Sequence, residues 1–274
     1  MSNGDNNLAL YCDFENIALG VRDARYARFD IQEVLERLLV KGNIVVKKAY
    51  CDWERYKDFK RDMHEASFEL IDIPHRRLSG KNSADIRMVV DALDLCYTKS
   101  HVDTFVIISG DSDFSPLVSK LRENNKIVIG IGVKESTSDL LISNCDEFIY
   151  YEDIVRKAAQ RKPKKKSAQK KSDGDGGGDG GNGSGRRAEE RAQSAFDLVL
   201  ETLDDITSER GEESNIWGSM VKQAIKRRKP SFSESYHGFK SFGLLLEEME
   251  KRDLLKLQHD DKSGGFIITD YNSD

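Results

Sequence analysis

The sequence predicts an α/β fold built on a parallel sheet sandwiched by helices, and three observations support this prediction. Short runs of apolar and β-branched residues alternate with longer segments of helical periodicity, which is typical of strand–helix–strand units. The central run, residues 105–108, is apolar at every position, as expected for a strand that is buried on both faces. Polar residues follow this run at once, and the same layout occurs after residues 8–12.

Taken in order, the apolar runs predict six strands, and the segments between them predict helices. The predicted strands cover residues 8–12, 44–50, 68–73, 105–108, 127–131 and 148–150. The predicted helices follow the apolar positions within residues 31–39, 53–66, 84–97, 114–121 and 140–142. Asp30 is placed to cap the first of these helices. We assign residues 7–153 to this domain.

The composition changes near Arg156. Residues 161–166 and 170–171 are rich in lysine, and residues 173–185 consist almost entirely of Gly, Asp, Asn and Ser. A segment of this kind has too little apolar surface to offset the entropy of ordering, so we predict a flexible linker over residues 156–188. The lysine run is either a solvated tether or a nonspecific contact for nucleic-acid phosphates, and both interpretations stay open.

A second, smaller domain is predicted over residues 189–271. Three helical patterns, within residues 196–206, 217–225 and 239–249, precede two short strands at residues 255–258 and 265–268. A polar turn that contains glycine separates the two strands, which favours a hairpin. Three helices followed by a hairpin describe a winged helix.

Composition and cysteine usage restrict the class of protein. The 274 residues carry a net charge of -5, but lysine and arginine cluster locally, so the total does not exclude a nucleic-acid partner. The four cysteines are scattered and the five histidines form no metal-binding spacing, which indicates reduced thiols and no zinc site. The N-terminal residues lack an apolar signal core, and no segment approaches the length of a membrane span. We therefore expect a cytoplasmic protein without a membrane partner.

Four aspartates are the candidate catalytic and metal-binding residues. Asp13, Asp111 and Asp113 follow the two strands described above, and Asp85 lies at the start of a predicted helix. If the two strands are neighbours, these carboxylates converge at the edge of a parallel sheet where ligands bind. Carboxylates that are packed together repel one another unless a cation lies among them. An all-oxygen donor set favours Mg²⁺ or Mn²⁺.

Each of these side chains also has a structural alternative. Asp113 is suited to cap the following helix, and Asp85 is suited to the first turn of its own helix, where the helix dipole favours a carboxylate. Asp13 and Asn16 are common residues in turns. Asp91 lies six residues after Asp85 on a different helix face, so we expect it to have a structural role. The functional interpretation depends on the coincidence of three separate segments at one edge.

Two basic segments are candidate contacts for a phosphate backbone. The polar loop of residues 75–83 contributes Arg76, Arg77 and Lys81 beside Asp85. A basic helix end in the second domain contributes Lys226, Arg227 and Arg228. Side chains of this type supply the sequence-independent part of nucleic-acid binding. The alternative for the second segment is a solvated helix end.

Three motifs of the first domain resemble those of a known family. They are Asp13-Phe-Glu-Asn16, then Lys81-Asn-Ser-Ala-Asp85-Ile with Asp91, and then Ser109-Gly-Asp-Ser-Asp-Phe-Ser-Pro-Leu117. Together they resemble the NYN domain of LabA-like proteins, which belongs to the PIN-like nuclease superfamily. The resemblance implies a metal-dependent ribonuclease whose acidic residues match Asp13, Asp85, Asp111 and Asp113. With Asn16 added, these residues form the predicted catalytic set, and the four aspartates are the predicted metal ligands.

The second domain resembles the OST-HTH/LOTUS winged helix, through residues 226–232 and 236–244. This resemblance implies RNA binding or protein docking. The predicted function is thus Mg²⁺- or Mn²⁺-dependent hydrolysis of single-stranded or structured RNA by an endoribonuclease with a tethered RNA-binding module. The alternatives are a regulatory protein that binds RNA or protein without cleavage, and a phosphatase for small phosphoesters.

Overall fold

The computed structural model describes residues 6–74, 82–161, 183–210, 216–260 and 264–272. The chain divides into two units, residues 1–161 and residues 162–274, and each is described by itself. Arg76, Arg77 and Lys81 of the predicted basic loop lie outside the described residues, as does the central part of the predicted linker, residues 162–182.

A six-stranded parallel sheet forms the centre of the first unit, with the order β3-β2-β1-β4-β5-β6. Its strands are β1 (Asn6–Asp13), β2 (Gly42–Cys51), β3 (Glu69–Asp72), β4 (Thr104–Ile108), β5 (Ile127–Gly132) and β6 (Glu147–Tyr150). The chain builds outwards from β1 to β3 and then returns to build outwards from β4 to β6. The boundary between β1 and β4 is therefore the topological switch point, where open α/β sheets form their ligand crevice.

Helices cover both faces of this sheet. They are α1 (Phe14–Asp23), α2 (Ile31–Leu39), α3 (Lys57–Glu65), α4 (Ser83–Thr98), α5 (Ser115–Glu123), α6 (Asp139–Asn144) and α7 (Tyr151–Arg161). One apolar core lies between the sheet and helices α1, α2, α3 and α7, and the other lies between the sheet and helices α4, α5 and α6. Val106 and Ile108 of β4 point into the first core, and Phe105 and Ile107 point into the second. The prediction of a strand buried on both faces is confirmed, because every residue of β4 is buried.

The second unit has the arrangement of a winged helix. Its described elements are α8 (Gly183–Arg210), β7 (Ile216–Trp217), α9 (Gly218–Arg228), α10 (Phe242–Lys251), β8 (Leu255–Asp260) and β9 (Gly265–Tyr271). The hairpin of β8 and β9 is antiparallel, and β7 adds a third strand beside β9. The helices pack on this small sheet around a separate apolar core that includes Phe196, Val221 and Leu245.

The structure corrects several element boundaries. Residues 14–23, which the sequence analysis left without a helix, form α1, and the predicted linker overlaps α7 at one end and α8 at the other. Trp217 belongs to β7 rather than to the following helix. Trp53 was placed in a predicted helix, yet it precedes α3 and is buried against Phe14, with ring centroids 5.0 Å apart. No helix in the described ranges is both long and apolar enough to cross a membrane.

Asp91 fastens α4 to the sheet, which confirms a structural role for this residue. Its Oδ2 accepts a hydrogen bond of 2.9 Å from the Tyr50 hydroxyl and lies 3.5 Å from Lys48 Nζ, while its Oδ1 lies 3.1 Å from Arg87 Nε. The Tyr11 hydroxyl donates to the backbone oxygen of Asp91 at 3.2 Å. These contacts fix the helix that carries Asp85 at its start.

Replacing Asp91 by alanine should lower the free energy of unfolding by about 2–4 kcal/mol, because it leaves the Tyr50 hydroxyl and the Lys48 ammonium without their shared acceptor. Asp94→Ala, on the exposed side of the same helix, should change this free energy by less than about 0.5 kcal/mol. Urea unfolding of both variants measures the difference. Equal effects would show that Asp91 does not fasten the helix.

Candidate active site

Asp13 ends β1 and at the same time caps the N-terminus of α1. Its Oδ1 accepts a hydrogen bond from the backbone N–H of Asn16 at 3.3 Å, and its Oδ2 accepts one from the Ser109 hydroxyl at 3.0 Å. The side chain is nevertheless buried, with only 8% of the residue exposed. Burial, and after it the Asp85 carboxylate, raise the pKa of Asp13, and although the two hydrogen bonds oppose them the pKa reaches about 7.

The turn after β4 brings Asp111 to the same place. β1 and β4 are neighbours with Cys12 opposite Ile108, so Asp13 and Ser109 leave the sheet side by side. The Ser109 oxygen that donates to Asp13 also accepts from the backbone N–H of Asp111 at 3.2 Å. This single hydroxyl therefore joins the residues that follow the two central strands. The predicted adjacency of the two strands is confirmed.

Asp111, rather than Asp113, caps the next helical turn. Its Oδ1 accepts from the backbone N–H of Asp113 at 3.0 Å, at the start of a 3₁₀ turn over Ser112–Phe114. Asp113 is therefore not the N-cap that the sequence suggested, and its side chain is exposed beside the groove described below. The shape of this turn leaves Asp113 available to a ligand.

Asn16 holds the turn in position from α1. Its Oδ1 accepts a hydrogen bond of 2.9 Å from the backbone N–H of Gly110. The backbone oxygen of Gly110 in turn accepts from the N–H of Ser138 at 2.9 Å, and a methyl group on Gly110 would lie 2.6 Å from the backbone oxygen of Ser136. The close approach requires glycine at this position. Asn16 therefore holds the turn in position, and its predicted catalytic role stays a prediction.

Asp85 joins this group from the first turn of α4, where it is half-buried. The pKa of Asp85 is raised to about 6. Burial is the largest cause, and the carboxylates of Asp111, Asp113 and Glu15 contribute in decreasing order. Glu15 also forms an ion pair of 3.0 Å with Arg55, which directs part of its charge away from the cluster. Asp85 therefore interacts electrostatically with each of the other three predicted aspartates at the switch point.

The chemistry of these side chains fits a hard divalent cation. The donors are carboxylate oxygens, and the pKa of two of the four carboxylates is raised, first by burial and then by the neighbouring carboxylates, so a cation at the site would favour their charged forms. Among the residues that the structure describes, no three His, Cys, Asp or Glu side chains stand close enough to hold a metal ion by themselves. Mg²⁺ usually binds through one or two carboxylates and keeps several water ligands, so this spacing is compatible with a hydrated ion.

Ser109 is the site residue that sequence reasoning missed. It is fully buried and connects the two carboxylate-bearing segments, but it was treated only as part of the polar stretch after β4. Its position in the sequence could have identified it. Ser109 directly follows a buried strand, so it lies beside the residue at the end of the neighbouring strand, which is Asp13.

The basic residues of the second unit are partly engaged within it. Arg228 forms ion pairs with two acids of α8, Glu201 at 2.9 Å and Asp205. Lys226 and Arg227 lie in the last turn of α9. Burial raises the pKa of Glu234, but Lys222 and, to a smaller extent, Lys226 bring it below its ordinary value. Arg228 therefore joins α9 to α8, and its contact with phosphate stays a prediction.

Comparison with known proteins identifies the family. The NYN domain model matches residues 7–152, which is more than half of the chain. The chain belongs to the NYN domain family. This family is part of the PIN-like nuclease superfamily, so the resemblance seen in the three motifs is confirmed for the first unit.

Relatives of this NYN protein occur in archaea and in vertebrates. An uncharacterised protein of Methanocaldococcus jannaschii is 28% identical over 150 residues, which cover 53% of this chain and 55% of that protein. Meiosis regulator and mRNA stability factor 1 of Xenopus tropicalis is 25% identical over 158 residues, which cover 58% of this chain and 9% of that protein. The chain thus spans about half the length of the archaeal relative and a small part of the vertebrate one.

A solved structure resembles the NYN protein over a similar extent. It is the crystal structure of a protein of unknown function from Vibrio parahaemolyticus, with a TM-score of 0.50 and 27% sequence identity. The match covers 56% of this chain and 98% of the Vibrio chain. The α/β architecture of the first unit is therefore shared with a protein of about that size.

Replacing Asp85 by asparagine should raise the free energy of unfolding at pH 8 by roughly 1 kcal/mol in a chelator-containing buffer, after allowance for its partial exposure. The folded protein binds the Asp85 proton more tightly than the unfolded chain, since the pKa rises from 3.8 to about 6. The contribution of protonated Asp85 to the wild-type free energy of unfolding is therefore greatest below pH 4 and is lost as the pH rises to about 6. The difference between variant and wild type should grow over this interval and stay constant above it.

Asp94→Asn, an exposed substitution on the same helix, is the matched control for urea unfolding across this pH range. Added Mn²⁺ should stabilise the wild type more than Asp85→Asn, because the ion compensates a charge that the variant lacks. A variant that is less stable than the wild type at every pH would contradict the unfavourable ionisation of Asp85 described here.

Proposed function

We propose that this protein is a metal-dependent ribonuclease that hydrolyses phosphodiester bonds of RNA at the edge between β1 and β4. The observation that supports it most is the hydrogen-bonded connection of Asp13, Ser109 and Asp111 across the two central strands, with Asp85 close enough to raise the pKa of Asp13. A protein that only binds RNA gains nothing from uncompensated carboxylates facing phosphates. A nuclease that recruits a cation does.

Asp13, Asp85, Asp111 and Asp113 would hold a Mg²⁺ or Mn²⁺ ion, which lowers the pKa of a bound water and compensates negative charge on a phosphoryl group. The protein's own contribution is preorganisation. Ser109 and the N-terminus of α1 fix the orientation of Asp13, and the capped turn fixes that of Asp111. Such fixed groups require little rearrangement when the substrate binds.

RNA is the proposed substrate, for two reasons. The chain belongs to a family within the PIN-like nucleases, and vertebrate relatives carry a name that refers to mRNA stability. The groove beside Asp85 is open to solvent in the part of the chain that the structure describes, so binding there does not require a strand end. We therefore propose endonucleolytic cleavage.

We further propose that the second unit is an OST-HTH/LOTUS-type module that binds RNA or docks a protein partner. The winged-helix arrangement of α8, α9, α10 and the β8–β9 hairpin supports this assignment. The candidate phosphate contacts of the second unit are Lys226, Arg227 and Arg228. Those of the first unit are Arg76, Arg77 and Lys81. A cytoplasmic location is proposed from the four cysteines, all of which are free and buried.

Asp13→Asn and Asp111→Asn should each lower RNA cleavage at least about a hundredfold while the fold is retained, because each removes a carboxylate from the proposed metal site. Cleavage of a labelled RNA is measured with Mn²⁺ or Mg²⁺ and with chelator, and circular dichroism checks the fold. Asp94→Asn is the control and should cleave like the wild type.

Full cleavage by both variants would remove the proposed mechanism. RNA binding without cleavage by the wild type under any divalent ion would favour a regulatory binding protein instead. Turnover of a generic aryl phosphate with no cleavage of RNA would favour a phosphatase.

A further inference from the structure

A groove lies between α4 and α5 and continues directly from the acidic site. Its volume is about 690 Å³. Asp85 and Asp113 lie at its acidic edge, and its remaining wall includes Ile86, Val90, Ser112, Pro116, Ser119 and Leu140. We refer to this feature as the α4–α5 groove. A polymer bound with one phosphate at the four aspartates would extend along it.

The apolar side chains of the α4–α5 groove are unusually exposed. Ile86 is 63% exposed, and Val90 and Leu140 are each 56% exposed. Ile86 and Val90 are one helical turn apart, so they present a continuous apolar strip toward the same side of α4. Apolar patches of this kind, bordered by polar groups, mark ligand-binding grooves or interaction sites.

The charged residues that line the groove favour a base over a phosphate group as its occupant. Among its described lining residues there is no Lys or Arg, while the acidic edge repels phosphate groups that lack a cation. An uncharged base is suited to the apolar strip. Ser112 and Ser119 line the same groove, where the Ser119 hydroxyl donates to Asn144 Oδ1 at 3.4 Å. The phosphate backbone is suited to the aspartates and their cation.

We propose that the α4–α5 groove is a nucleobase subsite that holds the base next to the cleaved phosphodiester. This proposal rests on the proposed ribonuclease function. A base in the groove must be unpaired and unstacked, because a paired base does not expose its faces to a protein surface. The subsite therefore selects single-stranded segments of RNA at the point of cleavage.

The test compares two labelled strands that carry the same phosphates, a pentamer of uridylates and an abasic ribose-phosphate strand of equal length. Binding is measured by fluorescence anisotropy in the Asp13→Asn background with Mn²⁺, so that no cleavage is needed. The uridylate strand should bind at least about fivefold more tightly, because only its bases gain contact with the apolar strip.

Val90→Ser and Ile86→Ser should each remove most of this preference by weakening the uridylate strand on the order of fivefold and leaving the abasic strand unchanged. Both side chains are exposed, so the substitutions should not unfold the protein. Val40→Ser is the matched control. Val40 is 76% exposed, but it precedes β2 and so lies at the amino ends of the strands, away from the carboxyl ends where the aspartates lie. It should change the affinity of neither strand.

Equal affinities for the two strands, or a preference that survives both groove variants, would overturn the base subsite. So would a concentration-dependent dimer that Val90→Ser abolishes, because it would assign the groove to a second copy of the chain. These results are separate from the cleavage assay. A wild type that discriminates the base but cuts no RNA would refute the ribonuclease proposal and keep the subsite.

Discussion

The hydrogen bonds of the Ser109 hydroxyl are the contact on which the site depends. One oxygen donates to Asp13 at the end of β1 and accepts from Asp111 after β4, so it sets the separation of two acidic segments that like charge would otherwise drive apart. The parallel pairing of β1 with β4 brings the hydroxyl to that position. Asn16 and the tight packing at Gly110 then hold the turn from the other side. These contacts keep Asp13 and Asp85 in surroundings that raise the pKa of both carboxyl groups.

Much of the first unit was predictable because its strands are short, apolar and bounded by polar residues. All six predicted strands occur, and Asp30 caps α2 through the backbone N–H of Gln32. The convergence of Asp13 and Asp111 was also predictable, since it follows from strand order and from the common direction of parallel strands. Asp85 could also be predicted, because it lies at the start of α4.

The features that were missed depend on contacts between residues distant in sequence. Local composition around Trp53 is charged, and its burial against Phe14 becomes visible only once α1 lies on the sheet. Helix α1 itself follows β1 without an intervening loop, so its first residues resembled a turn. The roles of Ser109 and Asn16 are hydrogen bonds to the backbone and side chains of other segments, which residue types alone do not specify. The ion pairs of Arg228 were not foreseen, because its acidic partners on α8 are more than twenty residues away in the sequence.

The order in which the chain is synthesised determines when the acidic site can form. Asp13 and the hydroxyl that holds it are separated by 96 residues, and β1 acquires its second neighbour only when β4 has been added. Contacts of this range form slowly, because the intervening chain must first be closed into a loop. A ribosome must therefore extend the polypeptide beyond the middle of the NYN domain before the acids can meet. Until then, the emerging protein has half of its sheet and no assembled centre.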